Sequence, residues 1–228
     1  MSARVDHLVI AARSLDEGVR WCEATFGVEP GPGGAHPLMA THNRLMKIAT
    51  AAFPRTYLEI IAIDPKARPT RPGGARRWFD LDDAVLQAAL ARRGPRLVHF
   101  VAEVPDAVAS VEALGHVRID RGHVLEASRD TPAGRLSWQI TVRDDGQRLF
   151  YGTLPTLIEW GPVHPTDSMV DSGVTLRSLD LAHPRTADLE VALHAIGLSG
   201  VSLAPGAPNL RAVFDTPRGT VTLESGGI

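Results

Sequence analysis

Two histidines and two glutamates stand in matching contexts along the chain. His7 in Asp6-His7-Leu8-Val9-Ile10 and His99 in Val98-His99-Phe100-Val101-Ala102 each open an apolar strand-like run. Glu59 in Leu58-Glu59-Ile60 and Glu159 in Ile158-Glu159-Trp160 each interrupt a later one. Delivered as one His and one Glu from each of two paired halves, they would form a metal site of two nitrogen and two oxygen ligands. Neutral imidazole with carboxylate suits Zn, Ni, Mn, Co or Fe(II), and a chain with a single cysteine offers no structural zinc cage. A lone strand histidine is more often a hydrogen-bonded core residue, and a lone strand glutamate more often faces solvent. The repetition is therefore what carries the weight.

The elements that must position these residues also repeat. Three segments share one order: an apolar strand, an amphipathic helix stopped at glycine, and further strands of which the last holds Leu/Ile-Glu. The helices are expected from Leu15 to Phe26 before Gly27, from about Pro105 to Leu114 before Gly115, and through Leu189, Leu193 and Ile196 before Gly197. Glycine just past the last apolar position accepts the left-handed conformation that ends a helix. The clearest alternating strands run from Arg135 to Val142 and from Asn209 to Phe214. The expected domains are a first βαβββ unit over 1–63, a proline-rich connector with a short helix near Asp80 to Arg93 over 64–95, a second unit over 96–162 and a degenerate third over 173–228. In the third, Leu181 stands as far before Gly197 as His99 stands before Gly115, so Glu224 has no histidine companion. The glutamate thus arises from the repeat alone, and the histidines discriminate.

Composition narrows the partners. With 228 residues, net charge −2 and interspersed acidic and basic side chains, the chain shows no basic stripe for nucleic acid, and no membrane span is indicated. The partner is expected to be a small molecule. No signal-peptide pattern follows Met1, and with the single Cys22 this points to a reducing cytoplasm. Cys22 sits on the apolar helix face of Leu15, Val19 and Phe26, as a small buried hydrophobe. Phosphate-loop, dinucleotide-binding and serine-elbow motifs are missing.

Repeated βαβββ units with His on the first strand and Glu on the last resemble the vicinal oxygen chelate superfamily. The segments Asp6-His7-Leu8-Val9, Pro32-Gly33-Gly34-Ala35-His36-Pro37, Thr41-His42-Asn43-Arg44-Leu45, Tyr57-Leu58-Glu59-Ile60-Ile61, Arg96-Leu97-Val98-His99 and Leu154-Pro155-Thr156-Leu157-Ile158-Glu159-Trp160 look like its glyoxalase-like domain group. The resemblance implies an α+β fold in which two units pair into a curved, cup-like sheet, with the third related unit C-terminal to them. It also implies a divalent metal at the base of the cup, held by His7, Glu59, His99 and Glu159.

Three functions follow as expectations. The first is a metal-dependent lyase or isomerase that abstracts a proton α to a carbonyl and stabilises an enediolate, with Glu59 and Glu159 as base and acid. The second is a metal-free binding protein with a cleft lined from Trp138, Trp160, Phe100, Phe150 and Tyr151. The third, ranked lower, is an Fe(II) dioxygenase using His7, His99 and one glutamate. Substrate contacts are expected from His36, His42, Asn43, Arg44, Trp138 and His164. Trp78 and Phe79 in the connector are read either as part of a crossover or as a lid. The third unit is expected to cover a sheet edge or supply a subunit contact, and a homodimer is compatible with the odd unit number.

Overall fold

A computed structural model describes residues 2–131 and 134–227. The first unit runs β1 (Arg4–Ala11), α1 (Leu15–Phe26), β2 (Ala35–His36), β3 (Thr41–Lys47) and β4 (Tyr57–Ile63). After α2 (Ala84–Arg93), the second runs β5 (Arg96–Glu103), α3 (Ala107–His116), β6 (His123–Thr131), β7 (Gly134–Val142) and β8 (Thr156–Trp160). The third follows as β9 (Thr175–Ala182), α4 (Thr186–Ala195), β10 (Ser202–Ala204), β11 (Asn209–Thr216) and β12 (Gly219–Glu224).

Local signals explain the helix limits. Ser14 caps α1 by accepting from Glu17 N, and Gly27 ends it at φ 78°. Asp83 accepts from Val85 N and Leu86 N, so α2 begins at Ala84, later than the apolar spacing suggests. In α3 the helix runs one residue past Gly115, and the left-handed turn falls on Arg118 instead.

Units one and two form a single eight-stranded sheet, ordered β2-β3-β4-β1-β5-β8-β7-β6 and curled into a half-barrel, with β1 and β5 antiparallel at the seam. Unit three repeats the element order but not the pairing. Its separate sheet is ordered β10-β9-β11-β12, so the strand holding Glu224 lies at an edge rather than beside the unit's first strand.

Each face of the large sheet has its own core. On the helix-bearing face, Leu8, Ile10, Phe100 and Ala102 meet Cys22, Phe26 and Leu114, together with Leu176, Leu179, Leu193 and Phe214 of unit three. The third unit therefore packs on the face of the sheet at the seam, not along β2 or β6. Inside the curl, Val9, Ile61, Val101, Trp138 and Ile158 meet Trp78, Phe79, Leu81, Leu86 and Leu90 from the connector and α2. Trp78 and Phe79 are stacked, with ring centroids 5.1 Å apart, and plug the cup. Among the described residues no helix is long and apolar enough to cross a membrane.

The fit of α1 against β4 is close. A Cβ on Gly18 would stand 2.4 Å from Ile60 Cγ2, a branched side chain buried in the core. Gly18→Val is expected to lower stability by roughly 1–3 kcal/mol through overpacking, measured as a shift in the urea midpoint at unchanged m-value.

Candidate functional site

A kink in β1 starts the site. Successive strand side chains normally point to opposite faces, yet the pairing of β1 with β5 skips Asp6, so a bulge turns Asp6 and His7 toward each other. His7 Nδ1 and Asp6 Oδ1 are 2.5 Å apart. Asp6 Oδ2 accepts from Trp160 Nε1 and His164 Nε2, each at 2.9 Å. Thr166 N donates to His164 Nδ1, which leaves the His164 proton on Nε2 for Asp6. Burial alone would raise the Asp6 pKa, but the His164 and His7 hydrogen bonds hold it well below the usual carboxylate range. Asp6 is thus a buried anion that ties β1 of the first unit to β8 and the following loop of the second.

This anion orients His7. The contact of Nδ1 with Asp6 turns Nε2 toward Glu59 Oε2, 3.6 Å away. Tyr57 stacks on the same ring, with centroids 4.6 Å apart. Glu59 in turn accepts from Asn43 Nδ2 at 2.6 Å. Asn43 has all four hydrogen-bonding positions occupied: Nδ2 also meets His36 Nε2, and Oδ1 accepts from Gly34 N and Arg129 NH1. The His36 and Glu59 contacts fix which way the amide points. Nitrogen and carboxylate oxygen face each other across a gap too long for a hydrogen bond.

A small chamber of about 30 Å³ opens at this gap, lined by His7, Glu59, Asn43, Trp78 and Arg129 among others. Beyond it lies a cavity of about 660 Å³. His36, Trp78, Trp138, Ile140 and Trp160 line both, so the chamber is the floor of the larger space. Among the described residues two buried donors of its lining side chains meet no acceptor, Trp78 Nε1 and Arg129 Nε. Burying such donors costs about 1–3 kcal/mol each.

His36 is a neutral part of this wall. Burial, with the Arg129, His7 and His42 charges adding to it, pushes its pKa down to about 3. Between that value and about 6.5 the unfolded chain binds a proton that the folded one refuses. The stability His36 contributes is therefore whole above pH 6.5 and is lost as pH falls toward 3, at up to about 1.4 kcal/mol per pH unit. His36→Gln should flatten the fall in unfolding free energy between pH 6 and pH 4, measured from urea midpoints.

The expected four-ligand set does not assemble. His7 and Glu59 meet; His99 and Glu159 do not join them. His99 faces the inside of the curl, but Nδ1 lies 2.9 Å from Gly152 O, while Nε2 accepts from Thr156 N and meets Thr156 Oγ1. No lone pair remains for an ion. Burial, with Arg121 and Arg148 adding to it, holds the His99 pKa well below the usual value, as suits a neutral core ring.

Glu159 fails for a reason of register. In unit one Val9, two residues after His7, pairs with Glu59; in unit two Val101, two residues after His99, pairs with Thr156. Thr156 therefore occupies the position of Glu59. Glu159 lies three residues on, an odd step that turns it to the helix-bearing face, where Oε2 accepts from Ala107 N and caps α3. The residues present do not fit a metal centre of two His and two Glu, and His99 is equally spent for a triad of His7, His99 and a glutamate. One other cluster, Asp6, Glu103 and His164, brings ligand atoms within 4.8 Å of one another. Its donors are already used, since Asp6 and His164 bond each other and Glu103 binds Arg4 at 2.8 Å.

The remaining candidates divide by strand face. His36, Asn43 and Trp138 line the chamber. His42 and Arg44 alternate with Asn43 along β3 and so face away; Arg44 is held by Gly31 O and Pro30 O. His164 lies behind Asp6, not on the cavity wall. Phe100 belongs to the opposite core, while Phe150 and Tyr151 line a separate cavity with His183. Burial pushes the Cys22 thiol up to about 12, in keeping with an inert core residue. Asp6, Trp78 and Arg129 complete the site; only Trp78 carried a sequence signal, its place in the connector.

A family model described as a glyoxalase-like domain matches residues 5–197. No curated protein matches the chain. Among solved structures, a hypothetical protein from Staphylococcus aureus is 12% identical with a TM-score of 0.58, covering 97% of this chain and 85% of that one, and shares the fold. Streptomyces coelicolor methylmalonyl-CoA epimerase in complex with 2-nitronate-propionyl-CoA is 22% identical, with a TM-score of 0.41, over 72% of this chain and 99% of that one. The Mycobacterium tuberculosis methylmalonyl-CoA epimerase is 15% identical, with a TM-score of 0.39, over 72% and 91%.

Proposed function

Because the chain belongs to the glyoxalase-like domain family of the vicinal oxygen chelate superfamily, we propose that it is an isomerase or lyase acting on a small carbonyl or hydroxy-carbonyl compound by proton transfer. The carrying observation is the Asp6-oriented His7 Nε2 facing Glu59 Oε2 at the floor of a large cavity. Glu59 takes the proton from the carbon between hydroxyl and carbonyl and returns it to the neighbouring carbon. His7 Nε2 moves the hydroxyl proton from one oxygen to the other, and the net change is an exchanged hydroxyl and carbonyl. Divalent metals are common in the superfamily, but the donor set here lacks the expected second pair, and none of these steps needs one.

Incubation in D₂O with a panel of small α-hydroxy carbonyl compounds and 2-hydroxy acids tests this reading by ¹H NMR. Enzyme-dependent loss of the α-proton signal is expected for at least one compound. The aromatic wall of Trp78, Trp138 and Trp160 favours a second reading, a binding protein without turnover. Saturable binding with no exchange in any compound would establish that reading instead.

A further inference from the structure

Arg129 has no role in the proton transfer just described, yet its guanidinium reaches the same chamber. It comes from β6, on the far side of the sheet from the strands that carry His7 and Glu59. Among the described residues the guanidinium's one hydrogen bond is from NH1 to Asn43 Oδ1 at 3.4 Å, and no carboxylate lies within ion-pairing distance. The Nε atom is buried without a partner. Among the described residues NH2 meets no acceptor and is not buried, so the guanidinium keeps an open N–H end that can receive a carboxylate oxygen.

Placement and charge agree. Asn43 links Arg129 to Glu59, since its Oδ1 receives NH1 and its Nδ2 donates to Glu59. A group held on the guanidinium therefore lies one side chain's breadth from the base. An anion entering a chamber that already contains the Glu59 carboxylate needs a cation, and Arg129 is the arginine or lysine on the described lining. Gly34 makes room for it: a Cβ there would lie 2.3 Å from Arg129 NH1. The chamber of about 30 Å³ admits only a small head, whereas the cavity of about 660 Å³ beyond it accepts a larger tail.

Resting on the proton-transfer reading for the position of the reacting carbon, we infer that the ligand carries a carboxylate on that carbon, as in a 2-hydroxy acid with a carbonyl at its neighbouring carbon, and that Arg129 binds it. The test is binding, not turnover. Benzoylformate and its neutral amide, benzoylformamide, are titrated against the full-length protein, followed by the fluorescence of the lining tryptophans. The carboxylate is expected to bind roughly 10- to 100-fold more tightly than the amide. Arg129→Gln should abolish that preference. Gly34→Ala keeps the charge but displaces the guanidinium, and should reduce the preference without altering thermal stability. Equal affinity for the two compounds, including no detectable binding of either, overturns the inference, as does a preference that survives Arg129→Gln. Carboxylate-selective binding without α-proton exchange of any 2-hydroxy acid would defeat the proton-transfer reading alone. Exchange of neutral hydroxy-carbonyl compounds, with equal affinity for benzoylformate and its amide, would defeat this inference alone.

Discussion

Glu59→Gln is expected to cost about 10²- to 10⁴-fold in α-proton exchange while leaving the fold and ligand affinity nearly intact. The amide keeps an oxygen to accept from Asn43 Nδ2, so the bond at 2.6 Å survives. It has no basic lone pair for a carbon-bound proton, and the loss should appear in kcat rather than KM. Glu159→Gln serves as the paired control. Its carboxylate caps α3 through Ala107 N on the other face of the sheet, so exchange should persist. A modest loss of stability, roughly 0.5–2 kcal/mol, is the only expected effect there. If Glu159→Gln instead abolished exchange and Glu59→Gln did not, the assignment of the base would be wrong.

Asp6→Asn is expected to damage both stability and catalysis. The carboxylate accepts from His7, Trp160 and His164, and an amide offers one oxygen plus an NH₂ that confronts the remaining donors. Hydrogen bonds to a buried charge contribute about 1.5–3 kcal/mol each, so a loss of about 3 kcal/mol or more at pH 7 is expected. Because the Asp6 pKa is lower in the folded state than the ordinary value of 3.8, its stabilisation is present above about pH 4 and fades as pH falls below it. The gap between wild-type and Asp6→Asn urea midpoints should accordingly be wide at pH 7 and narrow toward pH 3. A gap independent of pH would mean that Asp6 acts through packing rather than charge. In catalysis, losing the Nδ1 acceptor frees His7 to take the other tautomer, with its proton toward Glu59. Exchange should fall even in variant protein shown to be folded by circular dichroism.

Much of this architecture is legible from local chemistry. Ser14 and Gly27 bound α1 because one caps orphan N–H groups and the other tolerates a left-handed turn. The alternation in Arg135 to Val142 is a strand with one wall in the cup, where Leu136, Trp138 and Ile140 lie. The missing histidine in unit three likewise foretold a unit outside the site. What it did not foretell was the changed strand order of β10-β9-β11-β12, because pairing partners are set by contacts distant in sequence.

The sequence by itself determined that two units repeat and that unit three departs from them, and it offered His7 and Glu59 on equal terms with His99 and Glu159. Only the tertiary structure decided which of these meet and which other residues join them. A strand alternates faces with every residue, so the odd step from Thr156 to Glu159 moves a carboxylate from the cup to the helix-bearing side. One skipped residue in the pairing of β1 with β5 does the reverse, bringing Asp6 onto His7. Arg129 arrives from the far end of the sheet because the curl brings β6 over β3, a closure that local residue types do not encode. Residue type gives the chemistry available to a chain; register and curvature decide which of those groups meet.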